Sequence, residues 1–257
     1  PDAGVFRARN WSTSEVWPGA GMRCAFLGYA PYHEAGVSAF ATTGWPSFHY
    51  TVPTNATDQS DLLVTKNKIS SGIGDYGNID MPANLNMKDS ITFDHACTAV
   101  RIAIGKQMAA CTIKKIEICN VYGEGDYHYQ TENWTNIATP SNFSLVKDFE
   151  IKAGDSNYVL NNDDNVFMMI PQQLPMNSTI NVTINDGVEH LLKASIDKDI
   201  WAKGYTVTYY LSTTEVDNTY VLAVSSSTTS IPISGGTNTM TINSYKQTYY
   251  GSQVAVP

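Results

Sequence analysis

The stretch Ile91-Thr-Phe-Asp-His-Ala-Cys-Thr-Ala-Val-Arg-Ile-Ala-Ile-Gly105 constrains the fold more than any other. Ile91, Phe93, His95 and Cys97 recur at every second position, the period of a half-buried strand. Val100, Ile102 and Ile104 continue the apolar row after a change of phase by one residue. A β-bulge near Cys97 to Ala99 would produce that shift, because one extra residue re-aims the side chains that follow. The expectation is a long, kinked, central strand that Gly105 ends, with Phe93, Val100, Ile102 and Ile104 in the core.

The flanking chain repeats the same signal in shorter pieces. Phe48, Tyr50 and Val52 alternate until Pro53, and Leu62 to Thr65 is another short run. Met22 to Tyr29 and Ile113 to Tyr122 read as strands, and Val166-Phe-Met-Met-Ile170 as a buried one bounded by Pro171. Thr179 to Ile184 and Val188 to Ile196 alternate on either side of Asn185-Asp-Gly187, which predicts a hairpin. Gly204 opens a last long strand, with Tyr205, Val207, Tyr209 and Leu211 on one face. Residues 69–90 are turn-rich, and 123–165 read as a long polar segment after Gly123-Glu-Gly125. No stretch has helical periodicity. Many short alternating strands separated by turn residues predict an all-β sandwich architecture.

Composition narrows the function. Charged residues make up 16% of the 257-residue chain, below the usual proportion of about a quarter. A net charge of −8 without Lys/Arg clusters argues against nucleic acid and has the wrong sign for an anionic membrane surface. No apolar run reaches the length of about 18 residues that a membrane helix needs. The chain opens at Pro1 without Met, so a removed targeting segment is expected. Of the four cysteines, Cys111 and Cys119 would lie about 26 Å apart in one strand, too far to bond. Two alternatives stay open: all four are free core thiols, or one disulfide forms, such as Cys24 with Cys97. No Cys-x-x-Cys pair exists to hold zinc.

No nucleophile elbow, His-Glu-x-x-His or phosphate-loop motif is present, so no enzyme activity, catalytic residue, cofactor or fold-essential metal is expected. His33-Glu34 lacks a second His, and His95 reads as a satisfied histidine within a strand. Asn161-Asn-Asp-Asp-Asn165 gathers oxygen ligands, but Val166 stands where an EF-hand needs Gly, so a turn is the expected reading. Tyr127, Tyr129 and Trp134 sit close together in the polar segment. There they are candidate contacts for a host protein or glycan, or else rings that cover a sheet edge.

The order Ile91-x-Phe-x-His-Ala followed by Ala99-Val-Arg-Ile102 resembles the Bacteroides fimbrillin-like family, subunits of type V pili and related adhesins. Phe26-Leu-Gly-Tyr-Ala-Pro-Tyr32, Asp61-Leu-Leu-Val-Thr65 and Trp201-Ala-Lys-Gly-Tyr-Thr-Val-Thr-Tyr-Tyr-Leu211 extend the resemblance over roughly residues 22 to 212. It implies two tandem transthyretin-like β-sandwich domains, 1–108 and 109–224. Residues 225–257 would follow as a short β tail similar to the start of an Ig-like module. It also implies a non-enzymatic cell-surface adhesin or pilus subunit, located in the fimbrium at the outer-membrane surface. Partner subunits would join by donor-strand addition after cleavage behind an N-terminal Arg, for which Arg7 and Arg9 are the candidates. Membrane attachment is expected only through a lipid anchor that this sequence lacks. A rival reading is a surface glycan-binding or glycan-processing protein.

Overall fold

The structure, a computed structural model, describes residues 27–32, 34–41, 43–66, 93–162, 165–197, 199–216, 219–230, 245–247 and 253–255. Its strands are β1 (Tyr29–Ala30), β2 (Ser47–Thr51), β3 (Leu63–Thr65), β4 (Phe93–His95), β5 (Thr98–Ile104), β6 (Cys111–His128), β7 (Asn133–Ile151), β8 (Phe167–Met169), β9 (Gln172–Gln173), β10 (Thr179–Asn185), β11 (Glu189–Ser195), β12 (Ile200–Trp201), β13 (Tyr205–Val216), β14 (Thr219–Ser230), β15 (Tyr245–Gln247) and β16 (Gln253–Ala255). Helical structure among the described residues is 3-10 alone, at Ala56–Asp58 and at Asn165. The chain is all-β.

Three sheets carry the architecture. One is small, in the order β1-β3-β4. A second runs β11-β10-β6-β2, with β7 along the opposite side of β6. The third runs β14-β13-β5-β8, with β5 and β13 parallel. β9 pairs with β12, and β15 with β16. The apolar faces of the large sheets merge into one core that includes Phe48, Ile102, Ile116, Phe143, Val182 and Tyr209.

Within residues 93–105 the phase change is present, but β5 is buried on both faces, Ala99 and Ala103 included, where a half-buried strand was expected. The strand breaks at Ala96-Cys97. β4 pairs with β3 in the small sheet, and β5 enters the third sheet between β13 and β8. The phase change is therefore the point where the chain passes from one sheet to another. Val100, Ile102 and Ile104 are fully buried, whereas Phe93 is only half-buried. The hairpin at 179–196 forms as expected, with Asn185 opposite Glu189. Gly187 has φ +120, and its amide donates to Asn185 Oδ1.

Two expectations need correction. Backbone pairing crosses the boundary drawn at 108/109: β2 pairs with β6, and β5 with β13 and β8. Strands from both sides of that boundary share sheets and one core, so it does not separate two independently paired units. The polar segment after Gly125 is also not a loop. β6 continues to His128 and β7 returns along it. Gly123 and Gly125 occupy inward positions of β6, where a Cβ on Gly123 would lie 2.8 Å from the Phe143 ring. Gly123 makes room for Phe143, and Gly125 lies against the Thr135 carbonyl, Ile137 and Trp134; both sit within the strand and do not mark its end.

Backbone groups that the ladders miss are met by buried side-chain amides. Asn161 is fully buried. Its Oδ1 accepts from the Ile102 amide at 2.5 Å, and its Nδ2 donates to the Val100 and Asn165 carbonyls. Between the parts of β6 held by β10 and by β2, Gln172 Oε1 accepts from the Tyr122 amide and Nε2 donates to the Tyr122 carbonyl. Gln59 Oε1 accepts from the Met168 amide on β8. A buried backbone group without a partner costs about 1–3 kcal/mol, so each amide holds a strand in place.

Candidate assembly edge

A sheet edge presents a row of unmet N–H and C=O groups that a further strand can pair with, and proteins blunt such edges with charge, Pro, bulges or covering side chains. The edges of the two large sheets differ sharply in that protection. β7 is an edge strand whose outer side meets the chain at Ser144, where its amide donates to the Thr54 carbonyl. It carries Pro140 and exposed Lys147, Asp148 and Glu150. Its pairing with β6 shifts register three times, and Asn136 and Thr139 take positive φ. β8 is three residues long, and Gln59 covers its Met168 amide. β11 carries Glu189 and Lys193, both exposed.

β14 carries no charge, Pro or register shift, although part of it runs close to β11. Thr219-Tyr-Val-Leu-Ala-Val-Ser-Ser-Ser-Thr-Thr-Ser230 contains no charge and no Pro. It pairs in unbroken register with β13 from Tyr205↔Ser230 to Val216↔Thr219. Among the described residues β13 is its one strand partner. Twelve residues at strand rise give an edge about 40 Å long. Ser226, Ser227 and Thr228 are exposed, and Val224 packs on the core. Among the described edges of the two large sheets, β14 is the long one without charge, Pro or bulge.

The aromatic residues expected at a partner surface lie elsewhere. Tyr127 and Tyr129 are buried, and Trp134 is 9% exposed. Tyr127 stands edge-on to Tyr129 and Trp134, stacks on Phe48, and has the Lys203 ammonium 5.6 Å above its ring. The Trp134 indole N–H donates to the Ala96 carbonyl at 2.7 Å, tying β7 to the β4–β5 break. With their faces spent on one another, these rings offer no stacking platform, and that reading is corrected to a core role. Their burial follows from the inward phase of β6, which its glycines conceal in the sequence.

The remaining candidates divide similarly. Arg7 and Arg9 lie outside the described residues, as do Cys24 and His33. Asn161 is consumed by the β5 backbone and Asn165 caps its own turn onto the Asn162 carbonyl, which fits the turn reading. His95 is buried with Nδ1 2.7 Å from Asp61 Oδ2. Cys97, Cys111 and Cys119 are free. Burial lifts the Cys97 thiol well above its ordinary range, with the negative charges of Asp61 and Glu34 adding to it. Burial also pushes Cys111 up to about 11 and raises Cys119. All three stay protonated and weakly reactive. Among the described residues no three His, Cys, Asp or Glu side chains converge to hold a metal.

Comparison with known proteins agrees with this all-β architecture. A family model described as fimbrillin-like matches residues 2–249. The crystal structure of a fimbrial protein from Bacteroides vulgatus is similar at a TM-score of 0.53 and 14% identity, covering 87% of this chain and 83% of that one. A cell-adhesion candidate from Bacteroides uniformis follows at 0.47 and 14% identity, covering 79% and 71%. The C-terminally truncated tip fimbrial protein Mfa3 from Porphyromonas gingivalis stands at 0.32 and 12%, covering 66% and 64%. At these identities the first shows a shared fold, and the other two carry no argument. No curated protein matches the chain.

Proposed function

The chain belongs to the fimbrillin-like family, and from that premise we propose that it is a non-enzymatic surface subunit, a pilus building block or adhesin, that joins its neighbours by strand addition along β14. Its place would be the fimbrium at the outer-membrane surface, and its partners other subunits. The observation that carries this reading is the contrast between edges. β7, β8 and β11 are bulged, charged or covered, and β14 is long, neutral and regular. An extended partner segment laid along β14 would gain backbone hydrogen bonds, with alternate side chains supplying specificity. Cleavage behind Arg7 or Arg9 would free the segment before Trp11 and begin the exchange.

Trimming the chain at Arg7 or Arg9 should leave it folded and prone to linear oligomers under sedimentation. A peptide copy of the removed segment should suppress them. Ser226→Lys with Thr228→Lys, which charges the β14 edge at exposed positions, should abolish oligomers without unfolding the monomer. A trimmed chain that stays monomeric at high concentration and binds no peptide would refute strand addition. Oligomers that survive the lysine pair would remove β14 from it.

A further inference from the structure

The outward face where β2, β6 and β7 meet carries an arrangement that the family assignment does not use. His49 on β2 stands opposite Asp126 on β6, and Thr51 opposite Glu124. His49 Nδ1 lies 2.8 Å from Asp126 Oδ1. An ionised carboxylate only accepts, so Nδ1 carries a proton, and in the neutral imidazole Nε2 is the nitrogen that presents a lone pair. The second oxygen of Asp126 accepts from Asn136 Nδ2 at 2.7 Å. That bond, with the one to His49, holds the Asp126 carboxyl below its ordinary range. The Glu124 carboxylate accepts from the Thr139 hydroxyl. Asn136 and Thr139 are both positive-φ residues of the irregular part of β7, so one region of that strand aims both carboxylates.

The other end of the imidazole faces further oxygens. Nε2 is 3.7 Å from Glu124 Oε2 and 3.4 Å from Thr51 Oγ1. A gap of 3.7 Å is too long for an N–H···O bond, which closes to about 2.7–3.2 Å. It is near the separation of two donors on one tetrahedral zinc ion, about 3.4 Å from bond lengths of roughly 2.0–2.2 Å. An imidazole nitrogen and a carboxylate oxygen that face each other across such a gap can share a proton or a cation, and the Thr51 hydroxyl at 3.4 Å from Nε2 lies beside them. Nδ1–H donated to a carboxylate is also the support that metal-bound histidines usually have. The His49 and Glu124 side chains are 43% and 31% exposed, which leaves room for water to complete a coordination shell.

We propose that His49 Nε2 and Glu124 Oε2 form a surface site for a borderline-soft divalent cation such as Zn²⁺. Thr51 lies beside it as an oxygen donor, and Asp126 is the positioning residue behind the imidazole. Two protein ligands and water make a modest site, one that ties β2 to β6 without being needed for folding. Imidazole nitrogen favours Zn²⁺ over Ca²⁺ or Mg²⁺.

The test is calorimetric titration of Zn²⁺ into the untagged chain above the imidazole titration range. The expected result is a single saturable site per chain, at least about tenfold weaker in His49→Ala and in Glu124→Gln. Asp126→Asn should weaken binding by about tenfold through the lost support alone. Affinity should fall as the pH drops and protons compete for Nε2. Circular dichroism of each variant checks that the sheet is intact. Absence of binding in the wild-type chain would overturn the proposal, as would equal binding in His49→Ala.

Discussion

Replacing Asn161 by Ala removes one side chain and leaves two β5 backbone groups without partners. The Ile102 amide loses its acceptor at 2.5 Å, and the Val100 carbonyl loses its donor at 3.2 Å. Both bonds lie in the buried interior. At about 1–3 kcal/mol for each unmet buried group, the loss is roughly 2–6 kcal/mol. A water that enters the vacated space would place it near the lower end. Against a domain stability of about 5–15 kcal/mol, that is a large fraction. Equilibrium unfolding in urea should show a lower midpoint at unchanged slope, because the surface exposed on unfolding stays the same. Asn161→Asp keeps the acceptor for Ile102 and loses the donor to Val100. It should therefore be less damaging at acidic pH, where a protonated carboxyl can donate, than at neutral pH. An alanine variant within about 0.5 kcal/mol of wild type would refute the view that this amide stands in for a missing strand.

Glu34 is 8% exposed, and burial raises its carboxyl above the ordinary value against a lowering bond from Ser60. The native state therefore holds this proton more tightly than the unfolded chain, and stability falls as pH rises from the unfolded value through the raised one. Thermal melts should find Glu34→Gln more stable than wild type at neutral pH, with the advantage shrinking below about pH 4; equal gaps at both pH values would argue against it. At Gly187, an added Cβ would meet nothing within 4 Å, so Gly187→Val tests backbone strain alone. A loss of about 1 kcal/mol or more is expected from the positive φ, measured by chemical denaturation, and an unchanged midpoint would contradict it.

Much of the architecture was legible where polar and apolar residues alternate without interruption. Val100, Ile102 and Ile104, the run 166–170 and the Asp186-Gly187 hairpin are of this kind. The β6–β7 hairpin was hidden because inward glycines at 123 and 125 erase the apolar row, and because Pro140 and three register shifts break the period of β7. Reading that segment as a loop then placed Tyr127, Tyr129 and Trp134 at a surface. The edge at β14 was half visible, since a run without charge can be seen in the sequence, but its having β13 as its one strand partner among the described residues is set by topology. The His49–Asp126–Glu124 arrangement was not visible at all. His49 and Asp126 are 77 residues apart, and only the pairing of β2 with β6 brings them together.

Hydrogen exchange along Thr219–Ser230, measured in the monomer and in assembled oligomers, tests strand addition most directly. Amides of β14 that point away from β13 should exchange freely in the monomer and become protected on assembly, while those of the β7 edge stay unchanged. Protection that appears along Asn133–Ile151 instead, or oligomers that leave the exchange of β14 unaltered, would contradict assembly through this edge.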